Sequence, residues 1–225
     1  MKMRSLDKLQ DDDQTLKLRF TEISSALVDL LCIENIKTKA YRDEGLPHFS
    51  VLSTAKKIDV IDHLEVYYNL CAEHLSEGQA LRDSKRFTWR ALVKMGLAPF
   101  SDLLNRITEG DIVEIYGCDN TQLFRNLEFF DVCSYSIEEL FCVEWYRLFQ
   151  RDNKISDLIG QKVKELLDYK HPEGLEGPFP EHIVTEIFSD EKYQSKVFMK
   201  VVAPLYQNKR IAAFICIERG HVVNN

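Results

Sequence analysis

The sequence predicts an α+β protein in which a helical part comes first and an antiparallel sheet with short helices follows. Up to about residue 108, apolar residues recur at spacings of three and four, which is typical of helices with one buried face. From residue 109 onward, short runs alternate between apolar and polar residues and are bounded by turn residues, as in strands. We therefore expect a helical module over residues 1–108, a five-stranded sheet domain over residues 109–220 and a tail over residues 221–225.

The first two predicted helices have recognisable ends. An apolar stripe over residues 16–31 marks the first helix, and Gly45 and Pro47 predict the loop that follows it. The second helix is expected to begin near Ser53 or Thr54, and Gly78 is expected to stop it as a C-terminal cap.

The remaining elements follow in order along the chain. A third helix, "RDSKRFTWRALVKM", is expected to end at Gly96, and Pro99 suits the first turn of a short helix through Ile107. Two strands, "IVEIY" and "TQLFR", are separated by the turn residues "GCDN". Later come one long helix, "DNKISDLIGQKVKELLDY", and three strands, "HIVTEIFS", "SKVFMKVVAPLY" and "RIAAFICIE". The sequence "QNK" predicts a hairpin between the last two strands.

The last two predicted strands are apolar on both faces. Simple alternation places four residues on one face of the longer strand, namely Val197, Met199, Val201 and Ala203. A sheet with one side in water would alternate apolar with polar residues, so both faces of this sheet need a cover. We expect short helices on the inner face and the N-terminal helices on the outer face.

Residues 126–142, "NLEFFDVCSYSIEELFC", contain two helix-start signals close together. Asn126 is predicted to cap a first short helix by accepting a backbone N–H. Ser136 is predicted to cap a second short helix, and Glu139 would complete a capping box. The ring of Tyr135 is expected to fill the corner between the two helices.

This segment resembles the PAS domain family, whose usual pattern is Asn-x-x-Phe, a Gly-Tyr-Ser turn, a Glu-Glu-Leu helix and a Leu ahead of an Asp. The chain matches the pattern without a gap at Asn126, Phe129, Ser134, Tyr135, Ser136, Glu138, Glu139, Leu140, Leu148 and Asp152. The flanking strands and the long helix also come in the family's order, so the resemblance covers about residues 110–220. Ser134 and Cys142 replace glycines, so their backbone is expected to avoid the left-handed region.

The resemblance implies a cavity for a small molecule between the inner face of the sheet and the helices. The residues expected to line it are Phe129, Tyr135, Trp145, Leu148, Leu158, Ile159, Met199 and Ile215. The alternative is that these large side chains fill a core and leave no cavity. The family's usual coupling point at the end of the last strand is replaced here by "ERG", so output is expected to pass through the N-terminal helices or a separate partner.

The cofactors known from the family do not fit these residues, and the cofactor stays unknown. Trp145 stands near the place of the Cys that a photoactive flavin site needs, and the long helix carries no His for haem. His63, Cys71 and His74 share one helix stripe and are residue types that bind zinc. Apolar residues occupy the same stripe, so a packed helix face is the preferred interpretation.

Composition limits the function classes. The net charge of -7 argues against nucleic acid as a partner. The apolar runs are too short to span a bilayer, and the N-terminus lacks the apolar core of a secretory signal. We therefore expect a cytoplasmic protein without membrane association and with reduced cysteines. Common catalytic motifs are missing, so an enzyme is not expected.

The sequence thus predicts a sensory or regulatory signalling protein. Its PAS-like domain would bind a small ligand or a protein partner and relay through the N-terminal helices, as a homodimer or with a signalling protein. One alternative is a ligand-free scaffold for interaction or dimerisation. A second is a transcriptional regulator that uses the helical module, in which "SKRFTWRALVKMG" is the only moderately basic stretch.

Overall fold

A computed structural model of the chain describes residues 13–100, 102–176, 179–189 and 193–224. The first part of the chain is helical, as predicted. Its elements are α1 (Asp13–Ile33), α2 (Pro47–Ser50), α3 (Thr54–Ser76), α4 (Ser84–Met95) and a short 3-10 helix (Leu103–Arg106). Residues 1–12 of the predicted helical module and residue 225 of the predicted tail lie outside the described residues.

The second part combines a sheet with short helices. Its strands are β1 (Ile112–Gly117), β2 (Gln122–Arg125), β3 (Phe149–Gln150), β4 (Leu175–Glu176), β5 (His182–Glu186), β6 (Gln194–Gln207) and β7 (Arg210–Asn224). Its helices are α5 (Glu128–Asp131), α6 (Ile137–Cys142), α7 (Trp145–Leu148) and α8 (Asn153–Leu167). The mixed α+β class is confirmed.

The strands pair in the order β2-β1-β7-β6-β5-β3, with β4 also paired to β6, and every pairing is antiparallel. The sheet differs from the predicted five strands because the two-residue strands β3 and β4 pair with β5 and β6. A strand of two residues is too short to show an alternation of apolar and polar residues in the sequence. β7 also continues to Asn224, so residues 221–224, predicted as a tail, belong to the sheet.

Local residue chemistry explains most of the helix ends. The Ser53 side chain accepts from the Lys56 N–H ahead of α3, and Gly96 ends α4 with a φ of 66° that suits glycine. The short helix predicted from Pro99 is wrong in type and extent, because the described helical residues there are Leu103–Arg106. Ala98, just before the proline, pairs instead with Tyr206 of β6.

The hairpin between β6 and β7 is confirmed. Tyr206 pairs with Ile211 and Gln207 with Arg210, which leaves a two-residue turn. Asn208 and Lys209 both adopt the left-handed conformation, with φ of 51° and 64°. Positive φ at both central residues is the geometry of a type I′ turn, whose twist matches that of the strands.

A β-bulge at Lys200 reverses the alternation of β6. Met199 pairs with Glu218 and Val201 pairs with Ile217, so the strand carries one extra residue. Glu218 and Ile217 are consecutive and point to opposite faces, and so do Met199 and Val201. The prediction that Met199 and Val201 share a face is therefore wrong.

The outer face of the sheet is apolar and covered by the N-terminal helices, as expected. Its buried residues are Val113, Ile115, Phe124, Val201, Ala203, Leu205, Ala213, Ile215 and Ile217. The ring of Phe124 lies 6.2 Å from the ring of Tyr67 in α3 and 5.2 Å from that of Phe87 in α4. Helices and sheet thus share one continuous core.

The inner face has two different parts. Near α8 it is apolar, and its buried residues are Tyr116, Met199, Val202, Phe214 and Cys216, which pack with Leu166 of α8. Toward the start of β1 and the end of β7 it carries Glu114 and Glu218. Phe129 of α5 and Trp145 of α7 line the space next to this polar part.

Candidate functional site

Asn126 has a different role from the predicted helix cap. Its Oδ1 accepts from the Val113 N–H (2.9 Å), and its Nδ2 donates to the Asp111 carbonyl (2.8 Å) and to Ser84 Oγ (2.9 Å). The helix α5 begins only at Glu128 and makes no side-chain cap. The capping prediction for Asn126 is therefore wrong, because the amide is used to fasten the start of β1 to α4.

The second helix start is confirmed as a capping box. Ser136 accepts from the Glu139 N–H, and the Glu139 carboxylate accepts from the Ser136 N–H (2.7 Å). Tyr135 fills the corner as expected. Its buried hydroxyl donates to the Leu148 carbonyl (2.6 Å) and accepts from the Ile187 N–H (2.9 Å). Burial raises the pKa of Tyr135 to about 12, so this phenol stays neutral. Its hydroxyl has a structural role through these hydrogen bonds.

A cavity lies between the polar part of the inner face, the segment from α5 to β3, and β5. Its volume is about 50 Å³, which corresponds to a few water molecules. Aromatic side chains form one group of lining residues, namely Tyr116, Phe129, Trp145, Phe149 and Tyr193. Polar side chains form the other, namely Glu114, Gln122, Arg151, Glu186, Ser195 and Glu218. We call this space the inner cavity.

Of the eight residues that the resemblance places in a cavity, Phe129 and Trp145 line the inner cavity. Tyr135 and Leu148 are buried in the main core beside it. Met199 packs with Leu166 of α8, Ile159 of α8 packs against the same cluster, and Leu158 of α8 is half-buried. The placement of Ile215 is wrong, because Ile215 lies on the outer face, where it contacts the same core as the N-terminal helices.

Two carboxylates that the sequence did not single out occupy the wall of the inner cavity. Glu218 lies opposite Ile112, and Glu114 lies opposite Cys216, so the two glutamates are diagonal neighbours on adjacent strands. Glu114 accepts from the Tyr116 hydroxyl (2.7 Å) and from Gln122 Nε2 (2.5 Å). Burial, together with the neighbouring Glu114 carboxylate, raises the pKa of Glu218 well above its ordinary value.

The rest of the lining adds one cation and one unsatisfied donor. The Arg151 guanidinium lies 5.6 Å from the centre of the Trp145 ring and partly offsets the raised pKa of Glu218. The Trp145 Nε1–H is enclosed and has no acceptor among the described residues. Glu186, which is 3% exposed, accepts from the Ser134 N–H (2.6 Å) and from the Ser134 hydroxyl.

The loop between α1 and α2 is bonded to the start of α6. The N–H groups of Ile137 and Glu138 donate to the carbonyls of Lys39 and Ala40 (2.8 and 2.9 Å). In return, the Glu138 carboxylate accepts from the His48 N–H (2.9 Å) and the Phe49 N–H (3.0 Å), at the first turn of α2. We call residues 37–50, which comprise this loop and the short helix α2, the connecting loop.

Arg42 completes this contact. Its Nε donates to Glu139 (3.0 Å), and its Nη2 donates to the Ser134 carbonyl (2.8 Å). Ser134 and Cys142 both avoid positive φ, as expected for residues that replace glycine. Since Ser134 also binds Glu186, a chain of hydrogen bonds leads from the inner cavity to the connecting loop.

A second, larger pocket of about 270 Å³ lies beside the connecting loop. Lys37, Lys39, Arg42 and Asp131 line it, and the two lysines are exposed. The arginine is already bonded to Glu139 and Ser134. The basic side chains that line this pocket are therefore either exposed to solvent, as the two lysines are, or hydrogen-bonded within the protein, as Arg42 is.

Other candidate sites are less developed. His63 is exposed, whereas Cys71 and His74 are buried, and His74 Nε2 lies 3.2 Å from the Ala80 carbonyl. Within the described part of the chain, no cluster of three or more His, Cys, Asp or Glu side chains is arranged to hold a metal ion. Over the same residues, none of the helices has the length and apolar character that crossing a bilayer requires.

No family model matches the chain, and no curated protein or solved structure shows significant similarity to it.

Proposed function

We propose that the protein is a sensory or regulatory signalling module of the PAS type. In this proposal the inner cavity binds a small molecule, and the connecting loop relays occupancy of the cavity to the N-terminal helices. The observation that carries the proposal is the chain of hydrogen bonds from Glu186 through Ser134 to Arg42. A ligand that moves Glu186 changes the contacts that hold the connecting loop, and so shifts the balance between two arrangements of the loop.

The organisation of the sheet supports the PAS-type part of the proposal. The two strands before the short helices and the three longer strands after them belong to one sheet. Residues of the short helices α5 and α7 line the cavity together with residues of the inner face. The N-terminal helices share a core with the outer face, so a change in the sheet reaches them directly.

A ligand-free scaffold is the second candidate, and the size of the cavity favours it. Sites for drug-sized ligands occupy ≈ 300–1,000 Å³, whereas the inner cavity measures about 50 Å³. In a scaffold, the aromatic residues of the lining would serve as core, and the surfaces of the helices would bind the partner.

The basic stretch in α4 lends no support to a DNA-binding regulator. Lys85 donates to Asn105 (2.7 Å) and Lys94 pairs with Glu73 (2.8 Å). Arg90 is likewise paired with a glutamate of α3's C-terminal end. These cations are engaged within the protein rather than presented to phosphates.

A substitution that mimics occupancy tests the sensing proposal. Val197 lines the cavity, and Val197→Phe places a larger side chain there. Sensing predicts a changed rate of amide hydrogen exchange over residues 37–50, measured by mass spectrometry. Ile183→Phe is the control, because Ile183 is exposed on the neighbouring strand. A change that stays within the cavity wall and leaves residues 37–50 unaltered would contradict sensing and favour the scaffold.

A further inference from the structure

The inner cavity combines carboxylates with aromatic rings, and we propose that it selects a small organic ammonium ion. This inference rests on the proposed sensing function and adds the chemical class of the ligand. The two properties that carry it are the charge of the lining and the kind of surface that surrounds it.

The lining has an excess of negative charge. Three carboxylates, Glu114, Glu186 and Glu218, face one guanidinium, Arg151, among the described lining residues. An enclosed space lined by more acidic than basic side chains favours a cation inside it.

The other titratable groups around the cavity do not change this balance. Burial raises the pKa of the Tyr116 phenol and of the Cys133 thiol, so both are neutral near pH 7. Burial lowers the pKa of His182 on β5, and the positive charge of Arg151 lowers it further, so its imidazole is neutral as well. The remaining ionisable lining residue is the phenol of Tyr193.

The aromatic rings favour an organic cation over a metal ion. Ring faces attract ammonium and guanidinium groups within about 6 Å of the ring centre. The Arg151 guanidinium already lies 5.6 Å from the Trp145 ring, so this ring accepts a cation in the present structure. Tyr116 and Phe129 line the same space and offer further aromatic surface.

Size and hydrogen bonding narrow the ligand class. A volume of about 50 Å³ suits a molecule of roughly four non-hydrogen atoms, since one water needs about 10–15 Å³ on the same measure. The Gln122 amide and the Ser195 hydroxyl also line the cavity. A hydroxyl on the ligand can form hydrogen bonds with these groups, so a small amino alcohol, with an ammonium for the glutamates, fits the cavity best.

Binding of such a cation is linked to proton release. The ammonium ion replaces the proton of Glu218, so the carboxylic acid becomes a carboxylate paired with the ligand and the proton passes to the buffer. One proton is released for each ligand bound when Glu218 is protonated beforehand. The linkage gives the proposal a readout that is independent of any downstream signal.

Three ligands of equal size test the class. Trp89→Phe leaves Trp145 as the sole tryptophan of the chain, so the fluorescence of this variant reports on the cavity. We expect ethanolamine to bind most tightly and propylamine, which lacks the hydroxyl, to bind more weakly. Ethylene glycol, which lacks the charge, should not saturate the signal. Saturation by ethylene glycol as readily as by ethanolamine, or no saturation by either amine, would overturn the proposal.

Calorimetry with substituted proteins adds a second criterion. In buffers of different ionisation enthalpy, ethanolamine binding should release about one proton. Glu218→Gln should weaken binding by about tenfold or more and remove the release. The matched control is Glu109→Gln, which alters an exposed carboxylate and should change neither quantity. Arg151→Ala should tighten binding, because it removes the competing cation.

Failure of the ligand class can be told apart from failure of sensing. The hydrogen-exchange response to Val197→Phe does not depend on any ligand. If that response reaches residues 37–50 while the amines fail to bind, sensing stands and the ammonium class is rejected. If neither is observed, both are rejected.

Discussion

The two faces of the sheet are filled in different ways. On the outer face, residues such as Ile115, Ala213 and Ile215 are completely buried against a core shared with the N-terminal helices. On the inner face, Glu114 and Glu218 border a cavity and are surrounded by aromatic side chains. The difference indicates that the outer face contributes mainly to stability, whereas the inner face leaves a cavity lined by polar and aromatic side chains.

This difference between the faces also explains why the helical and sheet parts should behave as one cooperative unit. Apolar contacts across the outer face join them, and Asn126 adds buried hydrogen bonds between β1 and α4. A change at the inner face can then reach the helices without separating the two parts.

Truncation of Ile215 should have the largest effect. Ile215→Ala removes a fully buried side chain from the outer face and should lower the free energy of unfolding by about 2–5 kcal/mol. Val197→Ala, at the edge of the inner cavity, should cost less, about 1.5 kcal/mol for two methyl groups. Urea unfolding followed by circular dichroism measures both values. Equal losses would refute the difference between the faces.

Asn126→Ala should be nearly as costly. The substitution leaves the buried Val113 N–H without its acceptor and the Asp111 carbonyl without its donor. Each unsatisfied buried group costs about 1–3 kcal/mol, so a loss of about 2–4 kcal/mol is expected in the same unfolding measurement. Asn105→Ala is the control, because Asn105 is exposed and its side chain accepts from the exposed end of Lys85. A loss below that of the control would show that Asn126 does not fasten β1 to α4.

Much of the fold could be predicted from local chemistry. Ser53, Gly96 and the Ser136–Glu139 capping box mark helix ends through bonds within a few residues, and these signals are present in the sequence. The hairpin at Asn208 and Lys209 is local in the same sense. The capping prediction for Asn126 was wrong because its hydrogen-bond partners Val113 and Ser84 are not local in sequence.

The site was harder to predict because it depends on which strands are neighbours. Glu114 and Glu218 are about a hundred residues apart, and only the pairing of β1 with β7 brings them together. The bulge at Lys200 also shifts Met199 to the inner face, which strict alternation cannot show. An interrupted apolar pattern, with a glutamate inside "IVEIY" and another after "FICI", is the signal that could have directed attention to the pair.

Substitutions that enlarge a side chain should also distinguish the two faces, by a smaller difference in the free energy of unfolding. Ala213→Leu forces extra atoms into the filled outer core and should cost about 1–3 kcal/mol. Val197→Leu can extend into the inner cavity and should change the free energy of unfolding by less than about 0.5 kcal/mol. The ratio of the two effects is the relevant quantity, and a larger cost at Val197 would mean that the cavity is not accessible to added atoms.

The last comparison concerns pH and the inner face alone. Since the pKa of Glu218 is higher in the folded protein than its unperturbed value of 4.5, the folded protein binds more protons between the two values. The free energy of unfolding should therefore fall as pH rises above that unperturbed pKa, by at most about 1.4 kcal/mol per pH unit from this group, until the folded pKa is passed.

Glu218→Gln imitates the protonated side chain and removes this dependence. Burial also raises the pKa values of Glu128 and Glu138 and lowers that of His74, so the total pH profile mixes several groups. The difference between the variant and the unaltered protein isolates Glu218. That difference should be constant at low pH and should grow in favour of the variant toward neutral pH, as measured by urea unfolding at a series of pH values. Parallel profiles would mean that Glu218 titrates like an exposed glutamate, and the inner face would then lose the electrostatic character that separates it from the outer one.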